Sequence, residues 1–190
     1  MNGKIVLITG GSRSGKSVFA EQYAMNLDKK VVYIATAQVY DQEMETRVAL
    51  HRTRRPANWL TIEAPYDADL AVEQAPNETN VILFDCLTLY TSNLLLSPNT
   101  PTEPEKQYQY IMKQIDKLLA SARASQKTIL FVTNEVGMGI VPENALARRY
   151  RDIAGIVNQK VAASSDEVYL VVSGLAVEIK KIAVTIQKEV

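Results

Sequence analysis

The stretch Gly10-Gly11-Ser12-Arg13-Ser14-Gly15-Lys16-Ser17 has the form G-x-x-x-x-G-K-S and follows directly on an apolar run at residues 4–9. Helix-prone residues 18–24 come next. Few short sequences restrict a chain so much. Glycines let backbone N–H groups curl around phosphate oxygens where a Cβ would clash, and the start of a helix adds partial positive charge. Between a strand and a helix such a stretch is a phosphate-binding P-loop, with Lys16 reaching the β- and γ-phosphates and the Ser17 hydroxyl ligating Mg²⁺. Eight such residues also suit a plain glycine-rich turn. The flanking strand and helix, with both Lys and Ser in place, point instead to nucleoside triphosphate.

The chain of 190 residues is expected to form one nucleotide-binding domain over 1–190. Lys plus Arg equals Asp plus Glu at 21 each, so no overall field draws it to nucleic acid or to an anionic membrane. Its one cysteine, Cys86, rules out an internal disulfide and a Cys-based metal cluster, and makes the cytoplasm the default location. A strand and a P-loop stand where a signal peptide would need a long apolar core. No apolar run approaches the roughly 20 residues of a membrane span.

Further along, residues 30–35 form a β-branched apolar run that reads as a second buried strand, ending at Thr36-Ala37-Gln38. Ligands in open α/β sheets gather at the carboxyl ends of parallel strands, so these three residues either face the P-loop crevice or make an ordinary turn. Residues 39–52 suit a helix with acids near its start and Arg47, His51 and Arg52 near its end. Spacing of four puts Glu43, Arg47 and His51 on one face. His51 is the only histidine, and Arg47, Arg52, Arg54 and Arg55 place four guanidiniums within nine positions. Such a cluster suits phosphate oxygens, and a solvated basic face is the alternative. Residues 59–63 read as a short strand, and Glu63 at its end is a functional carboxylate or a polar terminus.

The run at residues 81–85, four apolar residues closed by Asp85, has the form of a Walker B strand whose acid supports Mg²⁺. Cys86 reads as a small buried hydrophobe. Residues 66–74, 88–96, 105–124 and 143–163 suit helices, and residues 127–132 and 167–173 suit buried strands. Residues 133–139 form a polar, glycine-bearing loop after one of those strands, and Gly174 turns the chain into a candidate hairpin strand at residues 175–180. The charged residues Arg148, Arg149, Arg151 and Asp152 suit an outer helical face. Alternating strands and helices predict an α/β fold of the P-loop NTPase, RecA-like type, a mostly parallel sheet with helices on both faces.

Several blocks together resemble the bifunctional adenosylcobinamide kinase and adenosylcobinamide-phosphate guanylyltransferase family. They are Thr9 to Ser17, Tyr33-Ile34-Ala35-Thr36-Ala37, and Asp41-x-Glu43-Met44-x-x-Arg47-x-x-x-His51-Arg52 with Trp59 and Glu63. The similarity continues through Asp85-Cys86-Leu87-Thr88-Leu89 with Asn93, Asn134-Glu135-Val136-Gly137-x-Gly139, and Arg151-Asp152-x-x-Gly155-x-x-Asn158-Gln159. It spans nearly the whole chain.

The resemblance implies phosphorylation of adenosylcobinamide by a nucleoside triphosphate, ATP or GTP. GTP then transfers GMP to the adenosylcobinamide phosphate through a GMP-histidine, and the matching histidine is His51. The chemistry agrees: an unperturbed imidazole, with a pKa of about 6.5, is mostly neutral at pH 7, and nearby arginines favour that nucleophilic form further. The same resemblance puts the P-loop residues Gly10 to Ser17, Thr36, Ala37, Gln38, Arg52, Thr53, Arg54, Arg55, Glu63 and Asp85 at the nucleotide, with Ser17 and Asp85 at Mg²⁺. It implies a homo-oligomer, with a trimer expected, and the apolar segment 88–96 is a candidate for its interface. Two rivals remain on residues alone: a single-function P-loop kinase of another small metabolite, and a RecA-like nucleotide-dependent regulatory protein.

Overall fold

The computed structural model describes residues 3–38 and 55–184 and, between them, Gln42, Thr46, Val48, Ala49, Arg52 and Thr53. The apolar runs become strands β1 (Lys4–Gly10), β2 (Val31–Ala35), β3 (Leu60–Glu63), β4 (Val81–Asp85), β5 (Thr128–Asn134), β6 (Glu167–Val172) and β7 (Leu175–Glu178). Among the described residues they form one sheet in the order β3-β2-β4-β5-β1-β6-β7. Strands β1 to β6 run parallel and β7 returns antiparallel. The helices are α1 (Lys16–Leu27), α2 (Ala68–Glu73), α3 (Leu87–Leu96), α4 (Pro104–Ala124) and α5 (Ala145–Ser164). Of the predicted helix at residues 39–52, Gln42, Thr46, Val48, Ala49 and Arg52 are helical; its other members, His51 and Arg47 among them, lie outside the described residues.

Side chains alternate across a strand, and that alternation sorts the core into two layers. Val6, Ile8, Val31, Tyr33, Leu83, Leu130 and Val132 pack with Ala20 and Ala24 of α1. Ile5, Leu7, Val32, Ile34, Ile82, Phe84, Ile129 and Phe131 pack with α2, α3, α4 and α5 on the other face. The expected two-sided cover is therefore present and unequal. Because parity is preserved to the strand ends, Gly10, Asp85 and Asn134 belong to the α1 face.

Several boundaries differ from the sequence reading. Thr133 and Asn134 belong to β5 and not to the following loop, because β1 pairs alongside as far as Gly10↔Asn134. Helix α5 begins at Ala145, capped by Asn144, whose side chain accepts from the Ala147 N–H at 3.1 Å. Trp59 precedes β3 as a buried residue. Ser173 and Gly174, with φ of 52° and 81°, form the two-residue turn between β6 and β7. Two positive φ values give the turn a twist that matches paired strands. The candidate interface at residues 88–96 is corrected: Leu87, Tyr90, Leu94 and Leu95 of α3 are buried in the chain's own core, and Leu96 alone of these leucines is exposed. A helix apolar on all sides belongs inside.

Candidate active site

The site grows from the loop joining β1 to α1. Gly15 has φ 96°, a backbone state that disfavours any Cβ, and a Cβ there would lie 3.1 Å from the Cα of Gly174. The hairpin turn in return supports the loop, the Gly174 N–H donating to the Ser14 carbonyl at 2.8 Å. At Gly10 a Cβ would sit 2.4 Å from the Val171 carbonyl oxygen. Helix α1 then starts with no side-chain cap and no acid in its first turn. Its first N–H groups are thus left for an anion.

Lys16 is 9 % exposed, and its Nζ donates to the Gly11 carbonyl at 3.1 Å. Burial lowers its pKa, and the Cys86 and Asp85 side chains oppose that shift. An ammonium so desolvated gains strongly from an incoming phosphate. On β4, Asp85 accepts at Oδ2 from the Tyr33 hydroxyl at 2.7 Å. Burial, then the charge of Asp85, pushes the Tyr33 phenol far above its ordinary range, so it stays a donor. The Arg55 guanidinium lies 3.5 Å from the Tyr33 ring centroid. Burial lifts the Cys86 thiol to about 12, consistent with a packed and unreactive side chain.

Around these groups lies a cavity of about 1120 Å³. Of the residues expected at the nucleotide, Ser12, Arg13, Ser14, Gly15, Lys16, Ser17, Ala37, Gln38, Arg52, Arg55, Glu63 and Asp85 line it. Arg52 and Glu63 meet on its rim in an ion pair of 2.7 Å. His51 and Arg54 lie outside the described residues. Gly10 and Gly11 shape the loop without forming the cavity wall, and Thr53, an exposed helical residue, does not line it either.

Thr36 needs a correction. It is fully buried, and its hydroxyl donates to the Cys86 carbonyl at 2.9 Å and accepts from the Cys86 N–H at 2.8 Å. The Asn93 amide further holds the Thr36 carbonyl at 2.8 Å. Thr36 therefore ties the ends of β2 and β4 together and leaves the cavity wall to Ala37 and Gln38. The sequence reading also missed Tyr33, Leu89 and Asn134, which line the cavity. Strand parity was the available signal for Tyr33; Asn134 had its place in a polar loop after a strand, and the β1–β5 register adds that it ends β5 beside Gly10.

A structural relative shares this scaffold. The crystal structure of KaiC-like protein PH0186 from Pyrococcus horikoshii OT3 superposes with a TM-score of 0.50 over 89 % of this chain and 71 % of that one, at 13 % identity. That likeness supports the P-loop, RecA-like fold alone. At the level of sequence, residues 6–179 match the family described as CobU, cobinamide kinase / cobinamide phosphate guanyltransferase. The chain is 43 % identical over 181 residues to the "Bifunctional adenosylcobalamin biosynthesis protein CobU" of Escherichia coli K12, covering 93 % of this chain and 99 % of that protein. Identity reaches 45 % over 184 residues with the CobU protein of Salmonella typhimurium, at the same coverages of 93 % and 99 %. The corresponding CobP protein of Pseudomonas aeruginosa is 39 % identical, covering 92 % of this chain and 96 % of that one. The chain therefore belongs to the cobinamide kinase / cobinamide phosphate guanyltransferase family of P-loop transferases.

Proposed function

We propose that this chain performs two successive transfers in cobalamin assembly. A nucleoside triphosphate, ATP or GTP, phosphorylates the aminopropanol hydroxyl of adenosylcobinamide; GTP then donates GMP to that phosphate, giving adenosylcobinamide-GDP and pyrophosphate. The observation that carries the reading is the uncapped start of α1, with Lys16, and Asp85 on the wall of one cavity. The P-loop residues hold the triphosphate through backbone N–H groups, and Lys16 exchanges its Gly11 contact for phosphate oxygens. Arg52, Arg54 and Arg55 bind phosphate or guanine-proximal groups, and Ala37, Gln38 and Glu63 complete the nucleotide site.

The donor set fits Mg²⁺. Ser17 and Asp85 supply a hydroxyl and a carboxylate to the same cavity, and the Ser17 hydroxyl makes no hydrogen bond to any described residue. Mg²⁺ is commonly held by one or two such oxygens plus substrate phosphates, and the described residues contain no cluster of three or more His, Cys, Asp or Glu. When bound, the ion neutralises charge on the phosphates.

For the second reaction, His51 is the nucleophile. A neutral imidazole nitrogen forms a bond to the α-phosphorus while the bond to the departing pyrophosphate breaks. A phosphate oxygen of adenosylcobinamide phosphate then displaces the histidine, which leaves as neutral imidazole. We place the enzyme in the cytoplasm as a homo-oligomer, a trimer in the working form, with one domain over residues 1–190.

The test is covalent labelling. The protein is incubated with Mg²⁺ and GTP labelled at the α- or γ-phosphate, then denatured. Acid-labile α-label alone, absent in His51→Ala, supports the guanylyl-histidine. If neither label stays on folded protein that still binds GTP, His51 has no covalent role and a simple kinase is the better account.

A further inference from the structure

A polar network behind the cavity wall serves no purpose assigned so far. At the end of β5 the Asn134 N–H donates to the Thr88 hydroxyl at 2.7 Å, and the Asn134 carbonyl accepts from the Asn158 amide at 3.1 Å. Asn158, on α5, also accepts at Oδ1 from the Thr133 hydroxyl at 2.8 Å. The Tyr150 hydroxyl donates to the Thr88 carbonyl at 3.1 Å, anchoring the start of α3 to the same cluster. Two helices, α3 and α5, thus fix one residue's backbone on both sides.

The side chain of that residue is treated in the opposite way. Thr133 faces α5, so Asn134, one step along the strand, faces the α1 side, with Leu130 and Val132 below it. It lies beside Gly10 in register and lines the P-loop cavity, yet its carboxamide makes no hydrogen bond to any described residue. A rigid backbone presenting an unused donor and acceptor is the form of a group built to meet a substrate.

We propose that Asn134 is a catalytic residue of the phosphoryl-transfer step, its amide donating to the γ-phosphoryl oxygens and its carbonyl accepting from the attacking hydroxyl. Asn158 and Thr88 are its positioning residues. The inference rests on the kinase half of the reading above. In the step, the acceptor oxygen forms a bond to the γ-phosphorus as the bond to the β,γ-bridging oxygen breaks. That electron pair leaves with the nucleoside diphosphate, and the hydroxyl proton is released to water. The transferring group carries its charge on three outer oxygens, so a fixed donor aimed at them stabilises the transition state more than the ground state. Attack at the α-phosphorus needs no such donor at the γ-position.

The experiment measures two reactions separately in full-length enzyme: phosphorylation of cobinamide by GTP, and pyrophosphate release from GTP with preformed cobinamide phosphate. Asn134→Ala is expected to lower kcat of phosphorylation by about 10²-fold, as for loss of one preorganised donor. KM for GTP and the guanylyl transfer rate should stay within about threefold. The near-isosteric Asn134→Asp, which loses the donors and keeps the shape, should lose phosphorylation as well. Asn158→Ala should show a smaller loss, of about tenfold, with the same selectivity for phosphorylation. Unchanged phosphorylation in Asn134→Ala overturns the proposal. Equal losses in both reactions with raised KM also overturn it, making Asn134 a general nucleotide contact. If wild-type protein phosphorylates no cobinamide, the functional reading itself falls, and the same variants are then compared on hydrolysis of GTP to GDP, where Asn134→Ala must still be slower.

Discussion

The two ends of the sheet use polar groups in opposite ways. At the amino ends of the parallel strands, charges are closed on partners within the chain. Lys4 bonds Glu167 at 2.7 Å, and the Tyr23 hydroxyl donates to the same carboxylate at 2.6 Å. Arg123 reaches Asp166 at 2.6 Å, the Gly3 carbonyl at 2.8 Å and the Ser164 carbonyl. Lys127 caps the Pro76 and Thr79 carbonyls at 2.8 and 2.7 Å. At the carboxyl ends, α1 starts uncapped, and the Ser17 hydroxyl and Asn134 carboxamide are unpaired among the described residues. Groups satisfied in the fold stabilise it, whereas groups held open for a ligand cost stability until the ligand arrives. Substitutions at one end should therefore change stability and leave turnover, and at the other end the reverse.

The largest expected effect tests the open end. Lys16→Met should lower both transfer rates on the order of 10³-fold, while leaving the melting temperature equal or higher, because it removes a desolvated ammonium. A marked fall in melting temperature would make Lys16 part of the frame and break the contrast. Gly15→Ala joins the two categories: its positive φ and the Gly174 contact predict a loss of about 1–3 kcal/mol in denaturant unfolding together with weakened nucleotide binding.

The closed end should answer differently. Arg123→Met removes contacts to a carboxylate and two carbonyls and should cost about 2 kcal/mol, with kcat unchanged when assayed well below the melting temperature. A change in kcat would show that the amino end reaches the chemistry. The smallest effect is acid lability. Burial opposes ionisation of Glu167 and Asp166. Hydrogen bonds from Lys4 and Tyr23 to the first, and from Arg123 and the Ile5 N–H to the second, outweigh it. Both carboxyls are thus held below their ordinary 4.5 and 3.8. The sign follows: this stability is complete above those values and is lost as pH falls through the lower folded ones. Melting temperatures should drop on acidification below about pH 4.5, and Lys4→Met should shrink that drop.

How far these residues were legible depended on how local their signals are. The P-loop is eight consecutive residues between a strand and a helix, and Asp85 ends an apolar run, so both could be read directly. Asn134 falls in the loop expected after residue 132, and only pairing with Gly10, 124 positions away, extends β5 to include it. Thr36 looked like a ligand because it ends a strand in the ligand-binding region, yet its hydroxyl closes on Cys86, 50 positions on. The segment 88–96 looked like an interface for the same reason that it is core: its apolar residues point in every direction.

The sequence by itself determined the chemistry available here: a phosphate-binding loop, an acid closing an apolar strand, a lone histidine among arginines, and alternating elements that make an α/β sheet. Those signals lie in neighbouring residues, where backbone conformation and side-chain type decide the outcome. Tertiary structure alone decided which polar residues at the strand ends are consumed by the fold and which face the cavity. Strand register and facing are settled by contacts between distant residues, and a shift of one residue would exchange Asn134 for Thr133 at the site.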